Sequence, residues 1–217
     1  MSSSEVVMKI FRNGVMMVMA AVMLLLGQAA VAAESPRDML QKAADALVVR
    51  LTKEKAAYKK DPQLLYSMVE ENIEPYIDFD GFAKGVMGKF YRQASDAQST
   101  RFSTTFRKSL IRTYANGMAA YDNQKLVFKP FMAGDDPKKA QVDMDIITTS
   151  NGAVPVTYQL ALNGSGEWKV KNVIINGINL GLTFRNQFAS TVEANRGNLD
   201  NAIANFIPSA ETANKGK

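Results

Sequence analysis

The spacing of hydrophobic residues changes once along the chain, near Asn123. Before this point apolar residues recur three or four positions apart, as on one face of a helix, and after it they alternate with polar ones, as in a strand with one buried face. The pattern predicts helices over about 35–121, a sheet over about 124–176 and further helices over about 180–207. Helices followed by an antiparallel sheet indicate an α+β domain, with the helices packed on one face of the sheet.

Prolines and N-capping residues divide the helical part into separate helices. Ser35 followed by Pro36 supplies an N-cap and a first-turn proline, and predicts a helix over about 35–60. Asp61-Pro62 restarts a helix that Pro75 ends. The apolar stripe predicted for the first helix consists of Met39, Ala43, Ala46, Leu47 and Leu51.

The segment 78–95, "DFDGFAKGVMGKFYRQAS", combines a helical apolar spacing with Gly81, Gly85 and Gly88. A glycine inside a helix costs about 1 kcal/mol. These glycines therefore indicate either close packing or a need for flexibility, and we favour flexibility as a hypothesis. A long helix over about 96–121 follows.

Four strands are predicted in the second part, with the sequences "KLVFKPF", "AQVDMDIITT", "VPVTYQLAL" and "GEWKVKNVII". The connections "GDDPKK", "SNGA" and "NGSG" are short and rich in turn residues. Short connections of this kind predict an antiparallel meander.

The alternation of apolar and polar residues shifts by one position within the fourth strand. Trp168 and Val170 would lie on one face of a regular strand, whereas Val173 and Ile175, which follow after 171–172, would lie on the opposite face. A β-bulge at this point would place both pairs on one face and bend the sheet. The sequence therefore predicts a concave sheet.

The first 33 residues resemble a cleavable export signal, with a basic start, an apolar run over 15–26 and small residues at 29–33. A membrane anchor, the alternative, needs about 20 apolar residues. We expect a single exported domain over 34–217.

Composition excludes several kinds of chemistry. The chain contains no Cys and no His, so disulfides, the usual zinc sites and Ser-His-Asp or Cys-His catalysis are excluded. The net charge is +5, but the basic residues form no dense cluster along the sequence, which argues against nucleic-acid binding. The carboxylate pairs Asp78/Asp80 and Asp143/Asp145 are typical of solvated positions. We expect no metal, no cofactor and no catalytic residue.

Two basic features could contact a partner or ligand. Arg101, Lys108 and Arg112 share one face of the long helix, either as a solvated face or as a surface for an acidic partner or an anionic membrane. Arg185 lies in an otherwise apolar segment, where its long stem can pack while the guanidinium reaches a pocket rim. A lipid headgroup and a structural ion pair are equally reasonable partners for Arg185.

Three collinear segments carry a family resemblance: "EPYIDFDGFAKGVMGKFYRQAS" at 74–95, "RFSTTFRKSLIRTYANGMAAY" at 101–121 and "GEWKVKNVIINGINLGLTFRNQF" at 166–188. Together they resemble the MlaC family of periplasmic phospholipid-transport proteins, also called toluene-tolerance proteins. The resemblance covers essentially the whole chain after the export signal.

The resemblance implies a carrier in the periplasm that maintains the lipid asymmetry of the outer membrane. Its implied partners are a glycerophospholipid, an inner-membrane ABC transporter with an MCE-domain protein, and an outer-membrane lipoprotein/porin complex. The implied fold is NTF2-like, with helices packed on a curved four-stranded antiparallel sheet around an apolar cavity.

We expect the lipid tails to contact the apolar residues that face inward from helices and strands. These are Val86, Phe90, Phe106, Leu110, Tyr114, Val142, Met144, Ile146, Val156, Tyr158, Leu160, Val173, Ile175, Leu180 and Phe184. Two alternatives remain open. A curved-sheet isomerase or dehydratase would use Tyr158 or Tyr114 with a buried carboxylate, and a protein-binding adaptor would use the basic helix face.

Overall fold

The computed structural model describes residues 34–148 and 152–209, and the expected export signal lies outside these residues. The helices are α1 (Pro36–Lys53), α2 (Lys55–Lys60), α3 (Pro62–Ile73), α4 (Phe79–Met87), α5 (Asp96–Ala119), α6 (Leu180–Ala194) and α7 (Leu199–Asn205). The strands are β1 (Lys125–Phe128), β2 (Lys139–Thr148), β3 (Gly152–Leu162), β4 (Trp168–Ile175) and β5 (Ile178–Asn179). The predicted α+β class is confirmed.

The predicted helix starts are also confirmed. The side chains of Ser35, Asp61 and Ser95 each accept a hydrogen bond from a backbone amide in the first turn of α1, α3 and α5. Pro36 and Pro62 occupy the first turns of α1 and α3, where a proline costs no hydrogen bond. Among the described residues, no helix combines the length and the apolar character needed to cross a membrane.

The helix predicted over 35–60 is in fact two helices, because Glu54 interrupts it. After the interruption Tyr58 is 4% exposed and packs in the same cluster as Leu51. The Tyr58 hydroxyl donates a hydrogen bond of 3.1 Å to the Leu51 carbonyl oxygen. No proline or glycine marks this break, so the sequence pattern did not reveal it.

The curved sheet has five antiparallel strands in the order β1-β2-β3-β4-β5, one more than predicted. The additional strand, β5, pairs with the end of β4 across a turn at Asn176 and Gly177. Both turn residues have positive φ, 49° and 79°, as tight hairpins with Asn-Gly require. A strand of two residues has no alternating pattern, so only the turn could have indicated it.

The bulge predicted in β4 is present. Gln159 of β3 faces Asn172 and Leu160 faces Val170, so that Lys171 is the additional residue. The bulge brings four apolar side chains of β4 against the cluster between α1 and the sheet: Trp168, Val170, Val173 and Ile175.

Three apolar clusters hold the helices and the sheet together. One lies between α1 and the sheet, and another joins α1, α2, α3 and α5. The third, the phenylalanine cluster, joins α4, the turn after it, α5, α6 and the segment after α7, with neighbouring ring centroids 4.7–6.2 Å apart. Its phenylalanines are Phe79, Phe82, Phe90, Phe102, Phe106, Phe184, Phe188 and Phe206.

Candidate functional site

An apolar cavity of about 320 Å³ lies where the three clusters meet, between the helices and the sheet. Its volume is at the low end of the range of about 300–1,000 Å³ found for ligand pockets. Within the described part of the chain, no charged side chain lines this cavity. The arrangement suits an uncharged, mainly hydrocarbon ligand, because a buried charge would need a partner.

The bulge in β4 shapes the sheet side of the cavity. Val170, before the bulge, and Val173 and Ile175, after it, all line the cavity. Because side chains alternate along a regular strand, these three could not share one face without the additional residue. Lys171 therefore determines which side chains reach the cavity.

Nine of the fifteen residues expected to contact lipid line the cavity. They are Leu110, Tyr114, Ile146, Val156, Tyr158, Val173, Ile175, Leu180 and Phe184. Helices and strands both contribute, as the inward-facing pattern predicted. The structure brings these residues together around one volume, and their contact with lipid stays a prediction.

The other six expected residues face inward but do not line this cavity. Val86, Phe90 and Phe106 pack within or against the phenylalanine cluster. Val142, Met144 and Leu160 are buried between α1 and the sheet. Periodicity identifies the buried face of an element, whereas the position along that face decides whether a side chain meets protein or an open volume.

Sequence reasoning missed much of the helical side of the cavity and, on its sheet side, Val170. The missed residues are Leu40, Ala43, Ala44, Leu47, Val69, Asn72, Ile73, Tyr76, Ile77, Phe79, Phe82, Ile111, Met118 and Val170. The alanines of α1 were the available signal, because small side chains on a buried face leave space beside them. The sequence pattern predicts an apolar stripe on this helix but does not distinguish a cavity wall from ordinary core.

Two tyrosines bring hydroxyl groups to this apolar site. Tyr114 lies on α5 and Tyr158 on β3, and both line the cavity. Burial raises the pKa of Tyr114 to about 12 and that of Tyr158 to about 12. Both hydroxyls therefore remain protonated near neutral pH and can donate hydrogen bonds.

Arg185 lies beside the cavity in a separate cleft of about 320 Å³. Its Nε donates a hydrogen bond of 2.7 Å to the Gly85 carbonyl oxygen, and no ion pair of Arg185 is found among the described residues. Phe82 lines both the cavity and the cleft, so the two volumes share a wall residue. Lys171 lines the same cleft.

The glycines of the 78–95 segment have local structural roles. A Cβ on Gly81 would lie 2.1 Å from the carboxylate of Asp78, which caps α4. Gly88 ends α4 with a φ of 55°, a conformation that L side chains rarely adopt, and the Arg185 stem covers it. Close packing thus accounts for these two positions, and flexibility of the segment stays a prediction.

The basic residues of α5 are only partly available for a partner. Arg101 forms an ion pair with Asp200 of α7, so it stabilises the contact between the two helices. Lys108 and Arg112 are exposed. Any docking surface on this face would therefore depend mainly on Lys108 and Arg112.

An ion pair fixes α4 to the bulge. Asp78 caps α4 through the Gly81 amide, at 2.9 Å, and its carboxylate also pairs with Lys171. Burial raises the pKa of the Asp78 carboxyl, but the hydrogen bonds from Lys171 and the Gly81 amide outweigh burial and leave that pKa below its usual value. The charged form therefore stabilises the folded protein.

Asp78→Ala should lower the free energy of unfolding at pH 7 by about 1–2 kcal/mol, since it removes both the cap and the ion pair. A depressed pKa contributes stability above the unfolded value, about 3.9, that is lost as the pH falls through the folded value. The difference from wild type should therefore shrink below about pH 4. Urea denaturation at pH 7 and pH 3 measures it. Asp78→Asn, which retains the cap, should cost less, and an equal difference at both pH values would contradict the assignment.

Comparison with known proteins identifies relatives of this chain. The family model described as MlaC protein matches residues 41–206. The toluene tolerance protein Ttg2D of Pseudomonas putida is 41% identical over 196 residues, which cover 89% of this chain and 88% of that protein. The intermembrane phospholipid transport system binding protein MlaC of Haemophilus influenzae is 28% identical over 159 residues, 72% of this chain and 74% of that protein.

A solved structure has a similar fold. It is the phospholipid-binding protein from Ralstonia solanacearum in complex with a phospholipid, with 27% sequence identity and a TM-score of 0.70. The alignment covers 77% of this chain and 92% of that chain. The likeness therefore extends over most of both domains.

Proposed function

This chain belongs to the MlaC protein family, and on that premise we propose that it carries glycerophospholipid, with the acyl chains enclosed in the apolar cavity. The observation that carries the proposal is a hydrocarbon-lined volume between helices and sheet, without a charged wall residue in the described part of the chain. The residues proposed to contact the tails are the nine predicted ones that line it, together with the α1 residues Leu40, Ala43, Ala44 and Leu47.

The free energy of tail burial explains why such a carrier is needed. Transfer of about 30 lipid methylenes into water costs on the order of 24 kcal/mol, at about 0.8 kcal/mol each. Spontaneous movement of a diacyl lipid across an aqueous compartment is therefore very slow. An apolar enclosure removes most of this cost without any chemical step.

The cleft beside Phe82 is the proposed position of the lipid headgroup. Arg185 uses its Nε for the Gly85 carbonyl oxygen, which leaves the terminal nitrogens of the guanidinium available. A guanidinium matches the geometry of phosphate oxygens. A lipid with its tails in the cavity could pass the Phe82 ring and place its phosphate near Arg185.

We place the carrier in the periplasm, between an inner-membrane ABC transporter with an MCE-domain protein and an outer-membrane lipoprotein/porin complex. This transport would maintain the lipid asymmetry of the outer membrane. Lys108 and Arg112 are exposed on α5 and are the proposed contacts for acidic surfaces of these partners. Charge complementarity of this kind speeds encounter more than it strengthens the final complex.

The cavity does not favour the alternative functions. An isomerase or dehydratase would need a carboxylate near Tyr114 or Tyr158, and the described residues around the cavity include none. A protein-binding adaptor would be expected to have an open groove, whereas this cavity lies between the helices and the sheet. We therefore retain the carrier as the single proposal.

Solvent extraction and mass spectrometry of gently purified protein should find diacyl glycerophospholipid, because the tails have no favourable alternative in water. The same protein should move a fluorescent phospholipid between two vesicle populations.

Arg185→Met should weaken binding of anionic lipid more than that of zwitterionic lipid, and Lys108→Glu with Arg112→Glu should slow only delivery to partner complexes. Protein that contains no lipid and takes none up from vesicles would overturn the proposal.

A further inference from the structure

The Tyr114 hydroxyl is the one buried side-chain polar atom in the described part of the chain that has no hydrogen-bond partner. An unsatisfied buried donor costs about 1–3 kcal/mol, so native proteins rarely retain one without a reason. The ring of Tyr114 forms part of the cavity wall. A ligand in the cavity is therefore well placed to provide the missing acceptor.

Tyr158 presents a second hydroxyl from the sheet side. Its side chain is half-buried and lines the cavity. No hydrogen bond of this hydroxyl is found among the described residues. The cavity thus has a hydroxyl donor on its helical wall and another on its sheet wall.

The chemistry of these donors selects the acceptor. Both hydroxyls are uncharged near neutral pH, and no charged group of the described wall accompanies them. A phosphate would lose too much hydration in such surroundings. An ester carbonyl oxygen is neutral, accepts hydrogen bonds and lies directly where the acyl chains begin.

We infer that Tyr114 and Tyr158 donate hydrogen bonds to the ester carbonyl oxygens of the bound lipid and thereby make the cavity selective for ester-linked lipids. The inference rests on the proposed carrier function and adds a specificity to it. A diacyl glycerophospholipid has two such carbonyls, one for each hydroxyl. Hydrocarbon tails alone cannot satisfy either donor.

The test compares dipalmitoyl phosphatidylglycerol with its dihexadecyl ether analogue, which has the same headgroup and chain length but no carbonyl groups. Wild-type protein should prefer the ester, and each of Tyr114→Phe and Tyr158→Phe should reduce this preference by about two- to tenfold, the value of one net hydrogen bond. The double variant should bind the two lipids equally. An unchanged ester-to-ether ratio in the double variant would overturn the inference.

Stability separates a ligand-binding hydroxyl from a structural one. Tyr114→Phe removes an unsatisfied donor and should leave the melting temperature of the lipid-free protein unchanged or raise it. The control, Tyr58→Phe, removes a donor that is bonded to the Leu51 carbonyl oxygen and should lower that temperature without changing the ester-to-ether ratio. If wild-type protein binds neither lipid, the carrier proposal itself fails, and this result is distinct from equal binding of both.

Discussion

Ala44→Trp is expected to abolish most lipid binding while leaving the protein folded. Ala44 lies on α1 and lines the cavity of about 320 Å³, so an indole at this position would occupy space proposed for the acyl chains. Exclusion of about four methylenes, at about 0.8 kcal/mol each, would cost about 3 kcal/mol, or roughly 100-fold in affinity. Phospholipid per protein after gentle purification and uptake from vesicles measure the loss.

Ala46→Trp is the matched control, because Ala46 lies on the same helix but is exposed. It introduces the same side chain and should leave lipid content and uptake at wild-type levels. Thermal denaturation of both variants shows whether the cavity accepts the ring, since overpacking costs about 1–3 kcal/mol. A stable Ala44→Trp protein that still holds a full complement of lipid would show that the tails lie elsewhere.

The two alanines also show where the sequence pattern was insufficient. The sequence pattern predicts Ala46 on the apolar stripe of the first helix, but in the structure Ala46 is exposed and Ala44 lines the cavity. In "AADALVV" almost every residue is apolar. When small apolar residues occupy both faces, periodicity does not determine which face is buried, and packing against the sheet decides.

The bulge in β4 was predictable because it leaves a local signature. A change of phase between Val170 and Val173, with both residues apolar, requires one additional residue if the strand has a single buried face. The structure places that residue at Lys171 and pairs it with Asp78 of the α4 cap. The cavity had no comparable signature beyond the small residues of α1, because its volume depends on how α1, α3 and α5 approach one another.

The segment 171–188 contains residues whose position the sequence predicted and residues whose position it left open. It provides Val173 and Ile175 to the sheet wall and Phe184 to the helical wall, as its apolar character suggested. Two further apolar residues of its helix, Leu182 and Phe188, could not be assigned to wall or core from the sequence. Leu182 is 54% exposed and Phe188 is fully buried in the phenylalanine cluster.

Phe188→Ala should therefore cause a large loss of stability without changing lipid specificity. The Phe188 ring centroid lies 4.7 Å from that of Phe102 and 5.3 Å from that of Phe206. Removal of such a ring costs about 3–5 kcal/mol, which for a domain of this size lowers the melting temperature by roughly 6–20 °C. Thermal and urea denaturation measure both quantities.

Leu182→Ala, on the same helix, should change the free energy of unfolding by less than about 0.5 kcal/mol. If Phe188→Ala retained the wild-type melting temperature but lost lipid, Phe188 would belong to the binding site, and its assignment to the part of the phenylalanine cluster that does not line the cavity would be wrong.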